Sequence, residues 1–304
     1  MSTLRFGHYS VETSHEDKLF FPDDAITKGD LIEYYKQVAE FLLPYIKGRP
    51  LTMRRYPDGI DGESFFQKEA GDYFPDWIDR VEVKKERGTV THVLCNNTAT
   101  LVYLANQASI ELHPWLSTTS KLDYPDQLII DLDPPGDDFS RARFAARALR
   151  EIFEELDLRA FLKTTGSRGL HVLAPLDRSA NFDTVRDFAH DLAKLLVRRH
   201  PHKLTTEARK EKRRGRLLID IARNGYAQSA VAPYSVRAKP GAPVATPLDW
   251  DELSDNKLDS QKYNVKNIFR RLGRKADPWE GLARSARSLK GPRRRLNAML
   301  EKEE

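Results

Sequence analysis

The run Gln127-Leu128-Ile129-Ile130-Asp131-Leu132-Asp133, stopped by Pro134-Pro135-Gly136, constrains this chain more than any other segment. A short apolar stretch bounded by turn residues reads as a strand. Side chains two apart in a strand share a face, so Leu128, Ile130 and Leu132 lie on one side and Asp131 and Asp133 on the other. Two carboxylates side by side repel each other unless a cation sits between them. Strand rise puts their Cα atoms ~7 Å apart. Both side chains can then converge on metal ions ~3.5–4 Å apart, as phosphoryl transfer uses. Such oxygen donors suit Mg²⁺ and Mn²⁺. Turn chemistry is the competing explanation, because Asp is common before Pro and Gly. A phosphatase with an aspartate nucleophile also carries Asp-x-Asp. That class shows it near the N-terminus with Thr or Val two residues on, where this chain has Pro135.

A second strand, expected over 217–222, raises the same question. Leu217-Leu218-Ile219-Asp220-Ile221 sets one charge in an apolar run. A buried, unpaired aspartate costs several kcal/mol, so Asp220 needs an arginine or a cation. Between the two strands lies Lys163-Thr164-Thr165-Gly166-Ser167-Arg168-Gly169-Leu170-His171. Its glycines would let backbone N–H groups approach a phosphate, although by itself the segment reads first as a plain Gly-Ser hairpin turn. It is not a Walker A loop, since the closing Gly-Lys-[Ser/Thr] is missing. Arg213, Arg214 and Arg216 precede the Asp220 strand and Arg237 follows it. A triphosphate needs such neutralisation.

Periodicity supplies the surroundings. Helices are expected over 28–47, with Thr27 and Asp30 as a capping box, and over 98–112, 140–157 and 182–199. A hairpin is expected over about 80–95, split at Glu86-Arg87-Gly88. A strand should run into Thr164 and another start at Leu170. Residues 207–216 read as a basic loop, 238–249 as a Pro-rich loop, and 280–304 as a solvated helix. This mixture predicts an α/β or α+β enzyme.

Composition narrows the class. The 304 residues are 40% hydrophobic, enough for one large or two small cores rather than disorder. Lys and Arg exceed Asp and Glu by 50 to 45, a mild bias that suits a polyanionic partner. The single cysteine, Cys95, excludes an intramolecular disulfide and a cysteine-based zinc or iron–sulfur site. No leader or membrane span is visible, so a cytoplasmic protein of the bacterial cytosol or nucleoid is expected.

Together these segments resemble a known family. Asp131-Leu132-Asp133-Pro134, Thr165-Gly166-Ser167-Arg168-Gly169-Leu170-His171, Ile219-Asp220 and Ala232-Pro233-Tyr234-Ser235-Val236-Arg237 stand in its order. So do Phe21-Pro22, Thr27-Lys28-Gly29-Asp30, Arg54-Arg55-Tyr56-Pro57-Asp58-Gly59, Phe65-Phe66-Gln67-Lys68 and Glu111-Leu112-His113-Pro114-Trp115. They resemble the polymerase domain of bacterial ATP-dependent DNA ligase D, a branch of the archaeo-eukaryotic primase superfamily. The resemblance covers about residues 15–255.

It implies an α+β primase-polymerase fold, two β-sheets flanked by helices with a central catalytic cleft. The catalytic domain would span 1–255, with 1–115 contributing DNA and 5′-phosphate contacts and 116–255 the core. Residues 256–304 would be a charged, largely helical extension. It implies template-dependent addition of NTP or dNTP to a 3′-OH at DNA gaps or breaks, with a preference for ribonucleotides and Mn²⁺. By carry-over, Asp131, Asp133 and Asp220 would hold two Mn²⁺ or Mg²⁺ ions. Arg54, Ser167, Arg168, His171, Arg213 and Arg237 would take the nucleotide phosphates, and His113 the sugar. Lys18 and Lys28 would grip a DNA 5′-phosphate. Phe65 and Phe66 would stack on the template, one of the two facing out.

Departures from the family pattern are visible. Arg54 and Arg168 stand where lysine is usual, and Ile221-Ala222-Arg223-Asn224 replaces a Trp-x-Gln-Asn pattern. No ligase motif is present, so a stand-alone member or a fragment is expected, working beside a separate ATP-dependent ligase and an end-binding protein. The alternatives are a primase that starts strands de novo and a non-catalytic DNA-end-binding module that recruits a ligase.

Overall fold

A computed structural model of the chain describes residues 2–85 and 87–303. Glu86, placed by the sequence in a hairpin turn, lies outside the described residues, as do Met1 and Glu304 at the ends of the expected N-terminal and tail segments. The chain divides into two compact units. Unit 1 holds Met1–Ser120, Ser229–Thr246 and Tyr263–Lys275; unit 2 holds Lys121–Gln228, Pro247–Lys262 and Ala276–Glu304.

Unit 1 begins with the antiparallel pairs β1 (Ser2–Phe6) with β2 (Tyr9–Thr13) and β3 (Leu19–Phe21) with β4 (Ile26–Thr27). Helix α1 (Lys28–Ile46) follows, and its first turn is closed by the expected capping box: Asp30 N–H donates to Thr27 and Thr27 N–H to Asp30. Leu31, Tyr34, Tyr35, Val38 and Leu42 are buried at helical spacing. The main sheet contains β5 (Pro50–Arg55), β6 (Phe65–Gln67), β7 (Arg80–Lys84), β8 (Thr89–Leu94) and β9 (Ser109–Pro114). Its order is β6-β5-β8-β7, with β9 also paired to β5. The expected hairpin is the β7–β8 pair, with Val83 opposite Val90.

The helix expected over 98–112 is shorter than its periodicity suggested. Helix α2 covers Thr98–Asn106, and Ala108 adopts a left-handed φ of 61°. That conformation breaks the helical ladder. Beyond it Ser109-Ile110-Glu111-Leu112-His113 alternates polar and apolar residues and joins β5 as β9.

Unit 2 is built on a six-stranded sheet. Its strands are β10 (Gln127–Asp133), β11 (Phe161–Thr164), β12 (Leu170–Pro175), β13 (Leu204–Thr205), β14 (Leu217–Asp220) and β15 (Pro247–Leu248). The order is β13-β14-β10-β12-β11-β15, antiparallel except for β13 with β14. Helices α3 (Phe139–Glu155) and α4 (Phe182–Arg199) pack against β10. Strand β14 ends at Asp220, two residues earlier than expected. The side-chain amide of buried Asn224 then bonds the N–H and C=O of Ile129, replacing the missing strand.

Short helix α5 (Ile268–Leu272) returns to unit 1, where Ile268 is buried. The tail departs from a solvated helix over 280–304. Helix α6 runs only from Lys290 to Lys302 and buries Leu296 completely. Arg293 pairs with Asp191 at 2.5 Å, and Arg295 donates to the Leu156 carbonyl at 2.8 Å.

Candidate active site

The acidic face of unit 2 forms from strand register. Asp131 lies directly opposite Asp220 in the β10–β14 ladder, and Asp133 is two residues along β10. Directly opposed residues of an antiparallel pair point to the same face. All three carboxylates therefore leave the sheet on one side. Asp220 is half-buried rather than buried, and its carboxylate accepts the Ala222 N–H at 2.8 Å. Among the described residues no ion pair falls on it, so arginine pairing does not account for Asp220.

Cations gather on the other two. Arg168 approaches one oxygen of Asp133 at 3.4 Å and Arg213 the other at 3.3 Å. Arg213 is buried and also bonds the carbonyls of Glu207 and Ala208. His171 Nε2 is 3.4 Å, and Arg223 Nε 3.7 Å, from the same Asp131 oxygen. Burial pushes the Asp131 carboxyl up, but His171, Arg223 and Lys163 outweigh it and hold the group below the ordinary aspartate range. Burial, reinforced by Lys163, lowers His171 to about 4, so its imidazole is neutral at pH 7. His171 Nδ1 is buried without a hydrogen-bond partner.

This arrangement fits a divalent cation. Three carboxylates on one face form an all-oxygen donor set of the kind Mg²⁺ and Mn²⁺ take. The face already draws two guanidinium groups to Asp133 and a third to Asp131. Among the described residues no group of three His, Cys, Asp or Glu side chains is yet closed to hold a metal. Binding would require these side chains to rearrange.

The Thr165–Gly169 turn carries Ser167 and Arg168 beside this face. Contact with the sheet also constrains this turn. A Cβ on Gly169 would stand 1.9 Å from the Leu132 carbonyl oxygen. That glycine is needed where the turn meets β10, between Asp131 and Asp133.

Unit 1 contains a second cluster, organised by a residue whose role the sequence did not reveal. Glu111 is buried on β9. It meets His113 Nε2 at 3.0 Å, Arg237 Nε at 3.1 Å and Arg54 at 3.9 Å, and accepts the Ala238 N–H at 3.1 Å. Burial alone would raise its pKa; the His113 hydrogen bond and the Arg237 charge prevail and bring it to about 2. Three residues expected to contact nucleotide thus share one carboxylate. The signal was the alternation Glu111-Leu112-His113, hidden when the segment read as helix.

Phe65 and Phe66 are 47% and 59% exposed, so both face out rather than one. Lys18 pairs with Asp58 at 2.6 Å. Lys28 is buried. Its ammonium donates to the Ser14 carbonyl at 2.6 Å, and burial, then Lys18, lower its pKa. Its backbone N–H bonds the Lys18 carbonyl, which makes the two lysines neighbours at the start of α1.

Comparison with known proteins is consistent throughout. The family model described as LigD, primase-polymerase domain, matches residues 27–279. The chain is 34% identical over 296 residues, 96% of its length, to the multifunctional non-homologous end joining protein LigD of Pseudomonas aeruginosa, covering 34% of that protein. It is 31% identical over 274 residues to the bifunctional LigD of Bacillus subtilis, covering 90% of this chain and 44% of that one. The polymerase domain of Mycobacterium tuberculosis ligase D in complex with DNA superposes with a TM-score of 0.84 at 31% identity, covering 91% of this chain and 99% of that domain. The chain spans about a third of the length of the first of these relatives. Among the described residues no helix is long and apolar enough to cross a membrane.

Proposed function

From the premise that this chain belongs to the LigD primase-polymerase domain family, we propose that it is a template-dependent polymerase. It adds ribo- or deoxyribonucleotides to a 3′-OH at gaps or breaks, in non-homologous end joining or gap filling. The observation that carries this reading is the common face of Asp131, Asp133 and Asp220. These residues would hold two divalent ions, Mn²⁺ or Mg²⁺. Bound there, such ions activate a hydroxyl nucleophile and neutralise transferring phosphates.

The chain's own groups take the remaining tasks. Arg168 and Arg213, released from Asp133, would bind phosphate oxygens of the triphosphate, where a guanidinium forms paired charge-assisted bonds. Ser167 supplies a hydroxyl to the same phosphates. A proton on His171 Nε2 would be shared between Asp131 and a phosphate oxygen. In unit 1, Arg54 and Arg237 are assigned to nucleotide phosphate and His113 to the sugar. Glu111 orients all three. Lys18 and Lys28 are assigned to the 5′-phosphate, since ammonium groups pair with phosphate. A separate ligase and an end-binding protein would complete the repair.

Extension of a primer on a one-nucleotide gapped duplex tests this, with and without a 5′-phosphate, in Mn²⁺ with NTP or dNTP. Extension that Asp131→Ala abolishes is expected, with stimulation by the 5′-phosphate. Extension indifferent to that phosphate would remove the end-recognition role. Synthesis without a primer would move the reading to a primase. Absence of extension with either metal would leave a DNA-end-binding module.

A further inference from the structure

The turn after β14 places on the carboxylate face a cation that the family pattern lacks. Ile221-Ala222-Arg223-Asn224 stands where that pattern is Trp-x-Gln-Asn, so Arg223 puts a positive charge in place of a neutral amide. Its Nε lies 3.7 Å from an Asp131 oxygen. The backbone on either side is fixed. Asp220 accepts the Ala222 N–H at 2.8 Å, and the Asn224 side-chain amide donates to the carbonyls of Ile129 and Ile221 at 2.6 and 2.9 Å. The side chain between these anchors is 41% exposed and has room to move.

Arg223 is held differently from Arg213 on the same face. Arg213 is buried and tied to the carbonyls of Glu207 and Ala208 as well as to Asp133. For Arg223 the approach to Asp131 is its one ion pair among the described residues, and 3.7 Å is too long for a hydrogen bond. A half-exposed pair of this kind is weak and exchanges readily. The guanidinium would also be repelled by a divalent cation bound to the same carboxylate. Once displaced, it needs another anion. A triphosphate on the same face supplies one, because guanidinium groups pair with phosphate as they do with carboxylate.

We propose that Arg223 is an internal placeholder for the divalent cation: it occupies Asp131 in the metal-free protein and yields that position fully only when a nucleoside triphosphate takes its guanidinium. Metal alone must displace Arg223 without compensation. Metal arriving with a triphosphate does not, since the phosphates receive the released charge. Each ligand therefore promotes the other, because a coupling of this kind is reciprocal. A glutamine at this position is uncharged and could not compete with a cation for Asp131. The device rests on the polymerase reading, in which Asp131 binds metal.

The test is Mn²⁺ titration of the full chain without nucleotide or DNA, read from the EPR signal of free Mn²⁺, and then binding of a fluorescent ATP at saturating Mn²⁺. Arg223→Gln is expected to bind Mn²⁺ about fivefold more tightly and ATP about fivefold more weakly. Damage to the fold would weaken both. Arg223→Lys keeps the charge and should bind Mn²⁺ as the wild type does. The proposal is overturned if Arg223→Gln fails to tighten Mn²⁺ binding, if it fails to weaken ATP binding, or if the lysine variant behaves as the glutamine variant does. Asp131→Ala separates this outcome from the wider reading. If that variant binds Mn²⁺ like the wild type, Asp131 is not a ligand, and the metal reading falls together with the proposal. If it loses Mn²⁺ while Arg223→Gln changes nothing, only the role of Arg223 is lost. Neither readout needs turnover.

Discussion

Asp220 stands directly opposite Asp131 across the antiparallel β10–β14 ladder, with no arginine paired to it among the described residues. Like charges placed opposite each other on one face destabilise a sheet by roughly 0.2–1 kcal/mol. The pair is thus mildly unfavourable until a cation joins it. Asp220→Asn should abolish primer extension, yet raise the melting temperature in EDTA by about 1–2 °C. Mn²⁺ should raise the melting temperature of the wild type more than that of the variant. A variant that melts lower in EDTA, or responds equally to Mn²⁺, would remove Asp220 from the metal set.

Glu111 makes acid stability a test of the second cluster. Its folded pKa is about 2, below the ordinary 4.5. Below both values the two states bind the same proton and the contribution vanishes. Above about 4.5 it is fully present, on the order of 3 kcal/mol. Stability should therefore fall as pH drops from about 4.5 toward 2. Glu111→Gln should lose about 2–4 kcal/mol at neutral pH, because the buried carboxylate charge that faces Arg237, His113 and Arg54 is removed. It should also flatten that acid limb, read by urea denaturation at several pH values.

Gly169→Ala should be severe. Its Cβ would fall 1.9 Å from the Leu132 carbonyl oxygen, a backbone atom that cannot swing aside. A loss of about 3 kcal/mol or more is expected, with weaker Mn²⁺ binding as β10 shifts between its two aspartates. Thermal denaturation and Mn²⁺ titration measure both effects.

Asn224→Ala should cost about 2 kcal/mol or more, since the buried N–H and C=O of Ile129 would lose their partner together. Chemical denaturation reads this directly. A cost under about 0.5 kcal/mol would mean that water or a neighbouring group satisfies Ile129.

Much of the site was legible because local period carries it. The alternation in 127–133 placed Asp131 and Asp133 on one face, and the helical spacing after Thr27 located α1 with its capping box. The motifs that resembled the polymerase domain of ligase D led to the family found by comparison. Where local period was ambiguous, the reading strayed. Residues 98–112 carry apolar spacing compatible with a helix throughout, yet the left-handed turn at Ala108 and pairing with β5 make the second half a strand. The role of Glu111 was lost with it.

By itself the sequence determined which residues could carry chemistry and which face of a strand each would share, because side-chain direction follows from a repeat of two or of 3.6 residues. Only the tertiary structure decided the partners. The pairing of Asp131 with Asp220, of Glu111 with Arg237 and of Arg55 with Tyr73 joins positions far apart or in different elements. Those pairings follow from strand register and loop path, which the whole packed chain selects and no local pattern encodes.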